Sequence, residues 1–597
     1  MKIKSKSLQT WAKLLPFLAP YKKHMILIVA TMLLGAGIDT IQPLFSGYAV
    51  DHFIEPGTTE GIVPFILLYV LLVVLMTLST ILMAIFALKV EMYLGRDLKR
   101  RLFEHLQTLD FSYYNTTPVG RIMARVMSDT NKIGTVLAWS LVDIFWSAAY
   151  VIGCVFVMLA YNWKLALILI AIIPVIAVFT VIFQKKILAV NRRVRAINAE
   201  VTRHYNEGIS GAKTSKTLVI EDKNDAAFRA VTDDMRRTTI HAVWLNAVYI
   251  PIIGFLTAIG VALVLTRGGS MVLFGDISVG DMTVFINYAL VIADPVQQLA
   301  RTISNFIATQ ANIERVSALM ERPALITDTP EVIEKYGTSF EPKRENWEPI
   351  TGRITFDDVT FRYPDGTENV LEHFSLDIPA GTTVAIVGET GAGKSTLVNL
   401  VPRFYDATAG AVRLNGVDVR DMEQAALRAQ IGYVPQKGVL FSGTIASNIR
   451  YGREDADDKA VLEALDCAQA SEFVSELPDG AENPITQGGT NVSGGQKQRL
   501  AIARALVRKA PVYIFDDSFS ALDFRTDAKL RRALSAFTKD SIVLIVAQRV
   551  STILNAEQII VLDEGKIVGR GTHRELLETC PTYREIAESQ LSKEELA

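Results

Sequence analysis

Residues 384–396 read Val-Ala-Ile-Val-Gly-Glu-Thr-Gly-Ala-Gly-Lys-Ser-Thr, which is a buried-strand run, a glycine loop and a helix start in that order. Such a loop can wrap phosphate: Gly388, Glu389, Thr390, Gly391, Ala392 and Gly393 offer backbone N–H groups, and Lys394 reaches the β and γ phosphates. Ser395 supplies a hydroxyl to magnesium and Thr396 opens the helix, so ATP and Mg2+ are the expected cofactors. A second apolar run, Val512-Tyr513-Ile514-Phe515-Asp516, ends in a carboxylate placed to hold a metal-bound water. Between the two, Val492-Ser493-Gly494-Gly495-Gln496 is a polar glycine turn entering a helix, and hence another anion-binding N-terminus. One nucleotide needs only one such site, so the second suggests a phosphate contributed by another subunit.

These elements sit in the second part of a 597-residue chain whose halves differ. Residues 1–350 carry 34 Lys and Arg against 28 Asp and Glu, while residues 351–597 carry 27 against 35. The overall charge of −2 argues against a nucleic-acid partner. Half of the residues are hydrophobic and the mean hydropathy is +0.26, more than a soluble chain of this length needs. A membrane span takes about 20 apolar residues, and uncharged stretches cover 61–88, 144–163, 165–184 and 238–266. Met25–Val50, interrupted only by Asp39, reads as a fifth span. The stretch 279–300, interrupted by Asp281 and Asp294, is weaker, and hydropathy alone leaves it open. A basic N-terminus and a nucleotide-binding half on the same cytosolic side require an even number of crossings, which makes it the sixth.

Charge supports that topology, because Lys and Arg near span ends stay on the cytoplasmic side. The proposed inner loops 89–132 and 185–237 hold 8 and 12 of them, and the proposed outer loops 51–61, around 164 and 267–281 hold 0, 1 and 1. Helical composition continues into the inner loops at Glu91–Leu109 and Val190–Tyr205, so the spans are expected to project into the cytoplasm. Asp39, Asp143 and Asp294 lie in apolar runs where a carboxylate costs at least about 2.5 kcal/mol. They should face a bundle interior or a watery cavity, as helix-packing residues or as substrate contacts. Trp139, Trp146, Phe285 and Tyr288 are open between stacking on a substrate and packing. The three cysteines, Cys154, Cys467 and Cys580, show no metal spacing and point to a reducing compartment without disulfides. Met1–Lys13 is basic and polar, and no removable signal peptide is expected.

In the order and number of its motifs the chain resembles the ATP-binding cassette family over nearly its whole length, and in particular a half-transporter of the type IV exporter fold. The fold class implied is an α-helical polytopic membrane domain of six spans at 1–320, a proline-marked linker at 321–350 and an α/β P-loop nucleotide-binding domain at 351–597. The resemblance implies that Tyr363 in Phe361-Arg362-Tyr363-Pro364 stacks on adenine. It makes Gln436 in Tyr433-Val434-Pro435-Gln436 the magnesium-sensing residue, with Ser395, Gln436 and Asp516 forming the metal set. Ser493, Gly494, Gly495 and Gln496 would be the signature acting on partner-bound ATP, with Val492 where leucine is usual, and Asp523 in Ser520-Ala521-Leu522-Asp523 the D-loop residue. Two such chains would close head to tail on two ATP molecules, and the inner loops near Phe111–Gly120 and Tyr205–Thr217 would transmit closure to the spans.

Two positions depart from the family pattern. Asp517 follows Asp516 where the family has a glutamate acting on the attacking water, and Gln548 in Ile545-Val546-Ala547-Gln548-Arg549 replaces the switch histidine. A base must come within about 3 Å of its proton or act through one water, so the carboxylate, shorter by one methylene, is expected to fall short. Gln487, just before the signature where exporters often carry glutamate, is a lesser departure. Binding without efficient hydrolysis is expected at this chain's own site. The expected role is therefore a heterodimeric, ATP-driven exporter subunit for hydrophobic or amphipathic compounds such as drugs or lipids. Its partners would be a second half-transporter and membrane lipid, and its place a bacterial inner membrane. The alternatives are a homodimeric lipid or peptide exporter in which Asp517 suffices, and an ATP-gated channel or regulator.

Overall fold

A computed structural model describes residues 10–591; the first nine residues of the basic N-terminal stretch, and 592–597 of the second half, lie outside the described residues. The chain divides into two compact units. One comprises the chain up to Thr108 together with Thr117–Arg322, the other Leu109–Thr116 together with the chain from Pro323 on.

Among the described residues the first unit contains six helical runs long and apolar enough to cross a membrane: Thr10–Ile54, Ile62–Thr108, Val119–Tyr161, Trp163–Ser210, Glu221–Leu273 and Val279–Met320. The shortest has 42 residues and the longest 53, roughly 60–80 Å at 1.5 Å per residue against a hydrocarbon layer of about 30 Å. The helices therefore run well past any bilayer, as the composition of 91–109 and 190–205 predicts. The weak sixth stretch is helical, and its two acids explain the weak signal. Asp281 lies at the helix entrance rather than inside the span. Ser278 caps this helix with its hydroxyl accepting from the Asp281 N–H at 2.9 Å, and the Asp281 carboxylate accepts from the Ser278 N–H at 3.2 Å, a reciprocal cap. Asp51, at the end of the first run, accepts from the Gly280 N–H and the Ser278 hydroxyl, both at 2.6 Å. Asp294 lies in the first turn after a break at Ile292 and is exposed.

Asp39 and Asp143 are paired between helices. Asp39 accepts from the Trp146 indole N–H at 2.8 Å, joining the first and third spans, and Asp143 accepts from the Thr302 hydroxyl at 3.2 Å, joining the third and sixth. Trp139 donates to Glu91 at 2.8 Å. Phe285 and Tyr288 are fully buried, with the Tyr288 hydroxyl donating to the Thr40 carbonyl at 2.6 Å. The three cysteines are free and buried.

In the second unit, runs of Val, Ile and Leu form a six-stranded sheet ordered 566–571, 558–563, 383–388, 542–546, 512–516, 431–434. All neighbours are parallel except the edge pair 558–563 with 566–571. Val512–Asp516 is buried at every position, as a strand covered on both faces requires. A four-stranded antiparallel sheet, including Ile354–Phe361 and Leu371–Ile378, packs with it around a shared core. Much of 321–350 is built into this unit: Pro330–Tyr336 is a helix, and Asp328 holds the buried Arg403 guanidinium at 2.9 Å.

Candidate functional site

The strand order brings the motifs together. Strands 383–388, 542–546, 512–516 and 431–434 lie side by side and parallel, so Gly388 at the end of the first and Gln548, Asp517 and Gln436 just beyond the others emerge at one edge. Ligands in open α/β sheets sit at that carboxyl edge. The Asp517 N–H donates to the Val546 carbonyl at 3.0 Å, which continues the pairing of the two strands into the site.

The phosphate loop is fixed by sterics. Gly388 has φ +157° and a Cβ there would lie 2.1 Å from the Leu562 carbonyl oxygen; at Gly393, φ +94°, it would meet Leu371 and Val370 at 3.1 Å. The helix Lys394–Leu400 starts directly behind, so the loop's N–H groups and the helix N-terminus share one concavity. Lys394 is 9 % exposed, and its ammonium donates to the Gly388 and Glu389 carbonyls at 2.7 and 2.6 Å. Burial lowers its pKa, while the carboxylates of Asp517 and Asp516 pull the other way. A buried ammonium hydrogen-bonded only to neutral carbonyls suits a polyphosphate.

The Ser395 hydroxyl donates to Asp516 at 2.7 Å. Burial raises the Asp516 pKa against the hydrogen bonds from Ser395 and Tyr433. A hydroxyl and a carboxylate side by side are the hard oxygen ligands that Mg2+ takes, with waters and phosphate oxygens completing its shell. The residues present fit ATP with Mg2+.

The next residue is handled differently. Asp517 is 7 % exposed and sits at φ +48°, a left-handed conformation that Asp tolerates better than most side chains. One oxygen, Oδ2, accepts from the Gln436 amide and from the Gln548 amide, each at 2.9 Å. Gln436 thus turns to Asp517 rather than to the Ser395–Asp516 pair. The two amides hold this carboxylate from neighbouring strand ends, and no imidazole stands among them.

Tyr363 lies beside the same helix, its hydroxyl 2.8 Å from the Thr396 hydroxyl and its ring edge-on to Tyr405 at 5.2 Å. It borders a cavity of about 380 Å³ that Asp365, Tyr405 and residues of the 111–116 helix also line. The signature stands apart. Ser493 caps the helix Gly494–Leu506 with its own hydroxyl, accepting from the Gln496 N–H at 3.3 Å, while Gln496 Oε1 accepts from the Ser493 N–H at 2.8 Å. Among the described residues no hydrogen bond joins 493–496 to 388–396. A Cβ at Gly495 would lie 3.3 Å from the Ala521 carbonyl oxygen, and Asp523 caps the following helix, accepting from the Thr526 N–H at 2.9 Å, which lowers its pKa. Gln487 begins a single turn, Gln487–Gly489.

The roles of Tyr433, Asn399 and Gln498 in the site are not legible in the sequence. The Tyr433 hydroxyl lies 2.9 Å from Asn399 Oδ1 and 3.3 Å from Asp516 Oδ2. Gln498, buried in the signature helix, donates to the Pro435 carbonyl at 3.0 Å and accepts from the Gly438 N–H at 2.9 Å, holding the turn that carries Gln436. Tyr433 belongs to the Gln436 motif, but its role depends on strand adjacency.

Comparison with known proteins agrees with this architecture. Residues 25–296 match the ABC transporter transmembrane region and residues 371–520 the ABC transporter nucleotide domain. An ATP-dependent lipid A-core flippase of Desulfotalea psychrophila is 32 % identical over 573 residues, 95 % of this chain and 96 % of its own. YgaD of Bacillus subtilis (strain 168), provisionally named a multidrug export ATP-binding/permease protein, is 31 % identical over 96 % of this chain and 97 % of its own. A solved bacterial Atm1-family ABC exporter with ATP bound shares the fold, with a TM-score of 0.79 at 24 % identity, over 96 % of this chain and 99 % of that one.

Proposed function

The chain belongs to the ABC transporter family as an exporter half-transporter, and we propose that it is the subunit of a heterodimeric exporter whose own phosphate loop binds ATP but hydrolyses it poorly. The observation that carries this reading is the single Asp517 oxygen shared by the Gln436 and Gln548 amides. Two N–H donors take the lone pairs of that oxygen and hold the carboxylate in one orientation. The side chain is also a methylene short, and an amide at 548 cannot take up a proton as an imidazole does.

Bound ATP with Mg2+ supplies the energy that joins two nucleotide units and the bond whose cleavage separates them. This chain's residues do the holding: Lys394 and the loop amides take the phosphates, and Ser395 and Asp516 take the metal. Ser493–Gln496 is free to serve ATP held by the partner, which supplies glutamate and histidine at the positions of Asp517 and Gln548. Loss of general-base help costs about 10²- to 10⁴-fold, which confines useful turnover to the partner's site.

The cargo class is hydrophobic or amphipathic, drug or lipid, a reading supported by the names of the relatives and by the apolar span faces. The Lys and Arg distribution supports a cytoplasmic N-terminus and nucleotide unit, and the bacterial relatives support a bacterial inner membrane. The test is the Mg2+-dependent ATPase rate in nanodiscs of the chain alone and co-expressed with a half-transporter that carries Glu and His at the two positions. Near-silence alone and turnover by the pair are expected. Ordinary rates from the chain alone would make it a homodimer, and ion currents without transport would make it a channel.

A further inference from the structure

Residues 109–116 lie in an inner loop between the second and third spans, yet they belong to the second compact unit. There Phe111–Thr116 forms a short helix whose residues 111 and 115, one turn apart, meet two consecutive aromatic residues. The Phe111 ring packs on Phe404 at 4.5 Å, and the Asn115 amide donates to the Tyr405 hydroxyl at 2.9 Å.

From those two rings the contacts diverge. Tyr405, 8 % exposed, packs edge-on against Tyr363 at 5.2 Å, and the Tyr363 hydroxyl pairs with Thr396 at the start of the phosphate-loop helix. Phe404 packs on Tyr433 at 5.2 Å. The Tyr433 hydroxyl, with one proton for two acceptors, lies between Asn399 on that same helix and Asp516, the carboxylate paired with Ser395. The Arg428 guanidinium lies 5.4 Å from the Phe404 ring and donates to the carbonyls of Pro402 and Arg403, which fixes the segment leading into both aromatics. Asp110 anchors the loop side, accepting from the Leu325 N–H at 3.0 Å.

We infer that Phe404 and Tyr405 are positioning residues of a forked relay. One branch, Tyr363–Tyr405–Asn115, carries occupancy of the base side of the nucleotide site to the 111–116 helix. The other, Asp516–Tyr433–Phe404–Phe111, carries the state of the metal-holding carboxylate to the same helix. The inference rests on the reading that 388–396 and Asp516 hold ATP and Mg2+, and adds which bonds report each end. The physical basis is discrete rearrangement of packed rings and one shared hydroxyl proton. A change in what Asp516 binds decides whether Tyr433 donates to it or to Asn399, and Phe404 rests on that ring. A helix joined to the spans at both ends by the chain itself is placed to pass either signal on.

Hydrogen exchange on the full chain in nanodiscs tests the fork, read on peptides covering 109–117 with no nucleotide, with ATP and EDTA, and with ATP and Mg2+. Binding of fluorescent MANT-ATP is measured on the same samples. In the wild type, ATP with Mg2+ should slow exchange by about fivefold or more, the scale of an ordinary coupling. Tyr405→Phe and Asn115→Ala should lose the part seen with ATP and EDTA and keep the increment that Mg2+ adds. Phe404→Leu should do the reverse, and Phe404→Leu with Tyr405→Phe should lose both. Every variant should still bind MANT-ATP, with affinity falling by no more than the coupling that is lost, because coupling is reciprocal. Single variants that bind nucleotide and keep the full wild-type protection would overturn the relay. Variants that lose the same fraction with and without Mg2+ would overturn the fork and leave one undivided contact. A wild-type chain that binds no MANT-ATP would remove the nucleotide reading itself, and the relay with it.

Discussion

At the phosphate end of the nucleotide site, Lys394, Ser395 and Asp516 are the residue types that holding ATP and Mg2+ demands, set in a loop where Gly388 and Gly393 leave no room for a side chain. At the water end, one residue past Asp516 and beyond the end of its strand, Asp517 is clasped by two amides. The two ends share a backbone and a sheet edge, yet Asp517 and Gln548 stand where the resemblance implies glutamate and histidine. Holding a polyanion needs a cation, backbone donors and a metal ligand, whereas activating water needs a carboxylate free to approach and accept a proton. The first set does not depend on the second, and on the proposed function binding and hydrolysis separate within about one residue's length.

Three perturbations break or sharpen that contrast, in order of expected size. The largest falls on neither end but on the signature: Ser493→Arg should lower the ATPase rate of the paired transporter by about 10²- to 10³-fold, the loss typical of removing one preorganised donor. It should leave MANT-ATP binding to this chain's own loop unchanged; a paired rate that survives would place hydrolysis at this chain's own site. Next, Lys394→Ala should weaken MANT-ATP binding to this chain by about 10- to 100-fold, since a charged hydrogen bond contributes about 1.5–3 kcal/mol. The companion change Gln548→Ala should leave affinity unaltered, and equal losses from the two would erase the distinction between the ends.

The smallest effect is one of pH. Burial raises the Asp516 pKa, so the nucleotide-free fold favours the protonated carboxyl. That contribution to stability is complete below the unfolded pKa and is lost as pH rises through the raised folded one. Mg2+ needs the ionised form, so the rise in melting temperature that Mg2+ gives should be greater at neutral pH than in mild acid. Asp516→Asn should remove the difference.

What could be read in the sequence follows how local each feature is. The phosphate loop was legible because strand, glycines and helix start are contiguous, and five spans were legible because each is one apolar run. The sixth was obscured by Asp281, whose role is to close a cap with Ser278; the Ser-x-x-Asp spacing carries that signal, but an average over hydropathy discards it. The residue types at 436, 517 and 548 were legible one by one. Their convergence on one oxygen was not, because it follows from strand 512–516 lying between 431–434 and 542–546, an order that no local pattern encodes. Asn115 and Tyr405, 290 positions apart, were beyond reach for the same reason. Phe111–Gly120 is expected from the resemblance to carry closure, but only the contacts show that Leu109–Thr116 belongs to the second unit.

The most direct test of the separation between the two ends is the Mg2+-dependent ATPase rate of the full chain alone in nanodiscs, compared with Asp517→Glu, Gln548→His and the double variant. The wild type should bind MANT-ATP yet hydrolyse almost none, and the double variant should gain about 10²- to 10⁴-fold, the range of general-base assistance. A wild-type chain that already hydrolyses at the rate of its double variant would contradict the account, because the amide-held Asp517 would then be a working base.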